Sequence, residues 1–133
     1  MCPWKTCLND AGTAVESGKR IEDRVADFLS QQNEFRLLHR NYRAKGGELD
    51  FVGEETRSTS AGSKTELVIL EVRARQSSGW VSGLESVTSQ KRRRIERAAQ
   101  AYLMSYRGRA QSVRFDVISV DEKGLQWFRA AWG

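Results

Sequence analysis

Two carboxylates set inside apolar, β-forming runs are the residues of this sequence best suited to chemistry. The first run is Gly46-Gly47-Glu48-Leu49-Asp50-Phe51-Val52 and the second is Leu67-Val68-Ile69-Leu70-Glu71-Val72-Arg73. A carboxylate placed in such a run costs free energy unless something pairs with it. A hard divalent cation such as magnesium, held by a few carboxylates and otherwise by water and phosphate, is the commonest chemical reason for the placement. The chemistry implied is metal-assisted attack on a phosphodiester.

Strand side chains alternate between faces. Strict alternation puts Glu48, Asp50 and Val52 on one face of their strand, with Leu49 and Phe51 on the other. In the second run Leu67, Ile69, Glu71 and Arg73 share a face, opposite Val68, Leu70 and Val72. If the two strands form a hairpin, Asp50 and Glu71 converge at the rim of one face, where they repel unless a cation or proton lies between them. The alternative is that Glu71 pairs with Arg73 or a neighbour and Asp50 caps a turn.

Several elements must position this pair. Residues 1–14 show no periodicity and read as a loose tail ahead of a single domain over 15–133. From Glu16 to Gln31 the pattern is helical, with Ile21, Val25, Phe28 and Leu29 on one face and Glu22 and Ala26 at its edge. Phe35 to Tyr42 and Glu48 to Val52 read as strands joined by the turn residues Ala44-Lys45-Gly46-Gly47. The polar stretch 54–65 predicts a flexible loop, and Glu66 to Arg73 the central strand. A Ser/Gly-rich loop follows at 76–83. A second helix runs from 85 to about 106, with Val87, Lys91, Ile95, Ala98, Tyr102 and Tyr106 on one stripe. Val113 to Val120 and Leu125 to Trp132 are strands separated by a turn at Asp121 to Gly124. The order predicts an α/β fold, a central mixed β-sheet flanked by helices.

With 133 residues and a net charge of +5, the chain has the size of one domain and a bias toward polyanionic partners. No apolar run approaches the ~20 residues of a membrane span, and Met1 to Asp10 lacks the apolar core of a signal peptide. The expected setting is the cytoplasm, away from membranes. Cys2 and Cys7 lie in the tail and His39 is the sole histidine, so a structural zinc site is not expected and a metal would be held by oxygen.

The ordered motifs resemble a known family. Glu48-Leu49-Asp50 followed by Glu71-Val72-Arg73 is similar to the PD-(D/E)-x-K nuclease signature. Together with Gly18-x-x-x-Glu22-x-x-x-Ala26, Asn41-Tyr42-Arg43, Ala74-Arg75, Lys91, Ala98, Tyr102-Leu103 and Arg114-Phe115-Asp116-Val117, the set resembles the YraN-like family of bacterial proteins. That family is related to archaeal Holliday junction resolvases. The resemblance implies a restriction-endonuclease-like fold and a nucleic-acid partner, DNA in the first instance. It places Glu22, Asp50, Glu71 and the backbone carbonyl of Val72 around magnesium or manganese. Asp50, Glu71, Arg73 and Lys91 become the catalytic candidates. The signature expects lysine where Arg73 stands. Arginine stays protonated and cannot act as a base, but it can hold a phosphate. Lys91 on the second helix is the candidate substitute.

The remaining cations supply phosphate contacts: Arg43, Arg75, Arg92, Arg93, Arg94 and Arg97. Such contacts give affinity without reading sequence, although four consecutive basic residues circle a helix and some must be solvated. Trp80 is placed to stack on a base or to pack on the protein, and His39 carries no assigned role. The expectation is a magnesium-dependent endonuclease for structured or branched DNA, with a homodimer as the default symmetric assembly. Its rivals are a nucleic-acid-binding protein with a degenerate nuclease site and a domain for protein contacts alone.

Overall fold

The computed structural model describes residues 14–74, 87–121 and 123–132, with side chains from residue 20 onward. Residues 1–13 of the expected tail over 1–14, the loop over 76–83, Arg75 and Trp80 lie outside the described residues, and Ala14 belongs to the first helix. Helix α1 spans Ala14–Ser30 and is followed by strands β1 (Phe35–Ala44), β2 (Gly47–Thr59) and β3 (Gly62–Ala74). Helix α2 (Ser89–Leu103) leads to β4 (Ser112–Asp121) and β5 (Gly124–Trp132). The five strands form one sheet in the order β1-β2-β3-β4-β5, with β3 central as expected. β3 and β4 run parallel and the other pairs antiparallel. A parallel pair needs a crossover, and α2 lies in the connection.

Each helix covers one face of the sheet. Ile21, Val25 and Leu29 of α1 pack with Phe35, Phe51, Val68, Leu70, Ile118 and Val120. Ile95, Ala98, Ala99 and Tyr102 of α2 pack with Leu49, Val52, Leu67, Ile69 and Val117. This α/β/α layering of a mixed sheet is the restriction-endonuclease-like fold. α2 starts on an N-cap, Thr88, whose hydroxyl accepts the Lys91 N–H at 3.2 Å. It ends three residues before the periodicity does, where Met104 and Ser105 turn back on the carbonyls of Ala101 and Tyr102.

The polar stretch 54–65 is not a loop. β2 and β3 continue through it as a hairpin paired from Glu54–Leu67 to Thr59–Gly62. Antiparallel pairing satisfies the backbone whatever the side chains are. The polar composition here reflects exposure and ion pairing rather than loss of structure. Thr56 and Thr65 hydroxyls meet across the strands at 3.0 Å, and Gly62 takes the left-handed φ of 118° that closes the turn. Glu54 and Glu55 are buried, held by Arg36 on one face and by Arg114 and Arg129 on the other.

Strict alternation also fails at the site. Leu49 and Val52 share the α2-side core, while Phe51 lies in the α1-side core. One residue more than alternation allows therefore separates Leu49 from Val52. On the neighbouring strand Asn41, between the pairs Arg40–Phe51 and Tyr42–Leu49, takes a φ of 53°. Asparagine tolerates this left-handed conformation better than most residues. The irregularity leaves Asp50 half-buried and outside both apolar clusters.

Candidate functional site

β2 and β3 stay paired as far as Phe51 and Leu70. Beyond that point Asp50 Oδ2 accepts the backbone N–H of Val72 at 2.9 Å. The bond fixes Asp50 next to Glu71. Glu71 is only 4% exposed, on the α2 side of the sheet, where Lys91 Nζ lies 3.6 Å from its Oε2. Oε2 itself is buried with no hydrogen-bond partner. Burial, and then the neighbouring Asp50 carboxylate, push the Glu71 pKa up to about 9, against the pull of Lys91 and Arg73. Glu71 therefore holds its proton at neutral pH, beside the Asp50 carboxylate.

Glu22 approaches Asp50 from α1. Burial raises its pKa, a hydrogen bond from Asn41 opposes the rise, and the charges of Asp50 and Glu48 add to it. Among the described residues no three His, Cys, Asp or Glu side chains are grouped closely enough to enclose an ion. Glu22 remains tied to Asn41. Asp50 and Glu71 are the pair that fits a hard cation, because a buried, unpartnered carboxylate oxygen beside a second carboxylate is the donor chemistry it needs.

A second buried acidic cluster shows the contrast. Asp116 is fully buried, and its Oδ1 accepts from Arg114 Nε and Ala130 N, both at 2.9 Å. Its Oδ2 accepts from Arg114 Nη2 and Trp127 Nε1, both at 2.8 Å. Arg114 also meets Glu55 at 2.8 Å and Glu66 at 3.0 Å. Here every acidic oxygen of Asp116 has donors, so the cluster is structural. The unsatisfied acid is at Glu71.

Asp50, Lys91, Arg43, Arg94 and Glu48 line a cleft of ≈ 600 Å³. Its walls are the β1–β2 hairpin and the start of α2. A close approach holds them together: a Cβ at Gly47 would lie 2.5 Å from the Arg94 carbonyl oxygen. α2 has no acid in its first turn; instead Lys91, Arg92, Arg93 and Arg94 follow one another at the positive end of the helix dipole. That is locally unfavourable and favours an anion in front of it.

The structure brings only part of the predicted set together. Asp50, Lys91, Arg43 and Arg94 share the cleft, Glu71 adjoins it, and Val72 contributes its N–H to Asp50. Arg73 is half-buried, with its Nε unpartnered. Arg93 and Arg97 are exposed on α2. Arg92 stands apart, its guanidinium 5.5 Å from the Trp132 ring. Asn41 and Glu48 join the site without having been singled out for a role. The signal available for Asn41 was a residue tolerant of left-handed backbone inside a strand.

Among the described residues no helix is long and apolar enough to cross a membrane. A family model described as "Uncharacterised protein family UPF0102" matches residues 21–120. The chain is 36% identical to the UPF0102 protein of Ralstonia nicotianae, covering 90% of this chain and 88% of that one. It is 35% identical to that of Cupriavidus metallidurans, covering 92% and 84%. A third relative, from Dechloromonas aromatica, is 36% identical over 93% of this chain and 92% of its own.

Proposed function

Because the chain belongs to the UPF0102 family, whose motifs are those of the YraN-like proteins, we propose that it is a magnesium- or manganese-dependent endonuclease acting on structured or branched DNA. The observation that carries this is the buried Glu71 Oε2, without a hydrogen-bond partner beside Asp50, at the edge of a cleft that Arg43, Lys91 and Arg94 also line. Asp50 and Glu71 are the first donors to the metal. The Val72 carbonyl and, once released from Asn41, Glu22 are the further ones. A bound magnesium ion would neutralise phosphate charge and lower the pKa of an attacking water. Lys91, beside Glu71, contacts the scissile phosphate and takes the place of the signature lysine. Arg73 stabilises developing negative charge but cannot accept a proton. Arg43 and Arg94 hold flanking phosphates and set the register of the strand. A two-fold dimer would present two such sites to a branched junction.

The test is cleavage of an end-labelled four-way junction with magnesium or manganese, by wild type and Asp50→Asn. Wild type cuts and the variant, folded by circular dichroism, does not. Equal cutting by both removes the assignment. A second reading, binding without cleavage, is favoured by Arg73 at the lysine position and by the hydrogen bond that engages Glu22 with Asn41. It predicts binding that falls steeply with salt and ignores magnesium.

A further inference from the structure

Beside the cleft lies a second depression of ≈ 350 Å³, lined by His39, Tyr42, Tyr102, Tyr106, Arg36 and Arg107 among others. Its rings form a connected set. His39 and Tyr42 stand nearly perpendicular to the Tyr102 ring, at 76° and 88° and centroid distances of 5.4 and 5.0 Å. Tyr106 lies 6.1 Å from Tyr102. Tyr102 is buried, Tyr42 and Tyr106 are half-buried and His39 is exposed, so the set runs from core to solvent.

The charge of the groove selects an anionic ligand. Its acid, Glu54, has one oxygen bonded by Arg36 at 2.9 Å and the other by the Tyr106 hydroxyl. Arg107 donates to the carbonyls of Met104 and Tyr106, which leaves its charge uncompensated by an acid among the described residues. An aromatic cage for a cation would need the opposite balance. Aromatic rings beside arginines are the composition that binds unpaired nucleotides, rings under bases and cations at phosphates.

The same two elements line both depressions. On β1, Arg43 borders the cleft, and Tyr42 and His39 the groove; on α2, Lys91 and Arg94 border the cleft and Tyr102 the groove. Lys91 and Tyr102 are about 16 Å apart along the helix axis, at 1.5 Å per residue. Exposed Arg97, packed beside Gly46, lies between them. We infer that this groove stacks unpaired bases of the DNA strand whose phosphate enters the cleft, which makes the substrate one with a single-stranded segment next to the cut. The inference rests on the nuclease reading of the cleft and adds the substrate feature it selects.

Binding is measured by fluorescence anisotropy without divalent ion, using a labelled oligothymidylate and an abasic oligonucleotide of equal length and charge. Tyr42→Leu keeps bulk but removes the π face, and His39→Ala alters an exposed side chain. Each should weaken oligothymidylate binding roughly ten-fold and leave the abasic strand unchanged. Equal losses on both strands, or no loss on either, overturn the inference. Wild-type affinity in Tyr42→Leu alongside cleavage lost in Asp50→Asn defeats the groove alone. A base-selective loss in Tyr42→Leu alongside cleavage retained in Asp50→Asn defeats the catalytic assignment and leaves the groove standing.

Discussion

Lys91 Nζ stands 3.6 Å from Glu71 Oε2, an oxygen that no hydrogen-bond donor reaches. The lysine comes from the first turn of α2 and the glutamate from the last buried position of β3. On the proposed nuclease reading, this cationic side chain takes the place of the signature lysine. Lys91→Met should slow single-turnover cleavage by about a hundred-fold or more, within the range ascribed to a positioned acid–base group. Arg73→Lys in that background should restore activity only if the strand position still reaches the phosphate. Unchanged cleavage in Lys91→Met would remove its role.

The buried carboxyl pair makes stability depend on pH in a definite direction. Glu71 holds its proton to about pH 9 in the folded chain and to the ordinary value near 4.5 when unfolded. Between these values the folded state binds more protons, so stability falls as pH rises. Its contribution is fully present below the unfolded value and is lost through the folded one. Thermal melts of Glu71→Gln should lose this slope. Magnesium would have to displace the Glu71 proton, so its stabilisation should be larger at about pH 8 than at about pH 6. A magnesium effect that does not change with pH would contradict a metal held by Glu71.

Gly47 tests the cleft geometry. A Cβ there meets the Arg94 carbonyl at 2.5 Å, a backbone atom that cannot swing aside. Gly47→Ala should cost ~1–3 kcal/mol in urea unfolding. It should also reduce cleavage beyond what the residual folded fraction explains, because the hairpin carrying Asp50 is pushed off α2. A variant with wild-type stability and rate would show that the close approach is not required.

Much of the fold could be read from residue patterns, because both helices and part of every strand carry amphipathic or apolar runs. The hairpin at 54–65 could not. Its stability comes from cross-strand backbone bonds and from partners distant in sequence, such as Arg114 for Glu55. The Asp50–Glu71 pair was visible as acids in β runs. Its actual geometry depends on the break in alternation opposite Asn41, a backbone event that strand periodicity assumes away. The aromatic groove was visible only as core positions on a helix and unassigned residues on a strand. Its assembly needs β1 and α2 side by side.

The Arg114 network should govern acid and mutational stability away from the cleft. Burial raises the Glu55 pKa, but Arg129 and Arg114 outweigh it and hold the carboxyl below its usual range. Its contribution is therefore present above the ordinary carboxylate value and lost as pH falls through the lowered one. Arg114→Met leaves Asp116 and Glu55 buried without their main partner. It should destabilise by ~3–5 kcal/mol, with magnesium binding unaffected in the fraction that stays folded. A loss below about 1 kcal/mol, ordinary for an exposed pair, would show that the network is not structural.

Asp50 and Glu71 are proposed to form a divalent-metal site, and calorimetric titration of magnesium and manganese measures that binding without a nucleic-acid substrate. Wild type should bind, with an observed heat that varies with buffer ionisation enthalpy because protons are released. Asp50→Asn, with an unchanged circular dichroism spectrum, should not bind. Identical heats and affinity in Asp50→Asn, or no binding in wild type even with a phosphodiester oligonucleotide present, would contradict it.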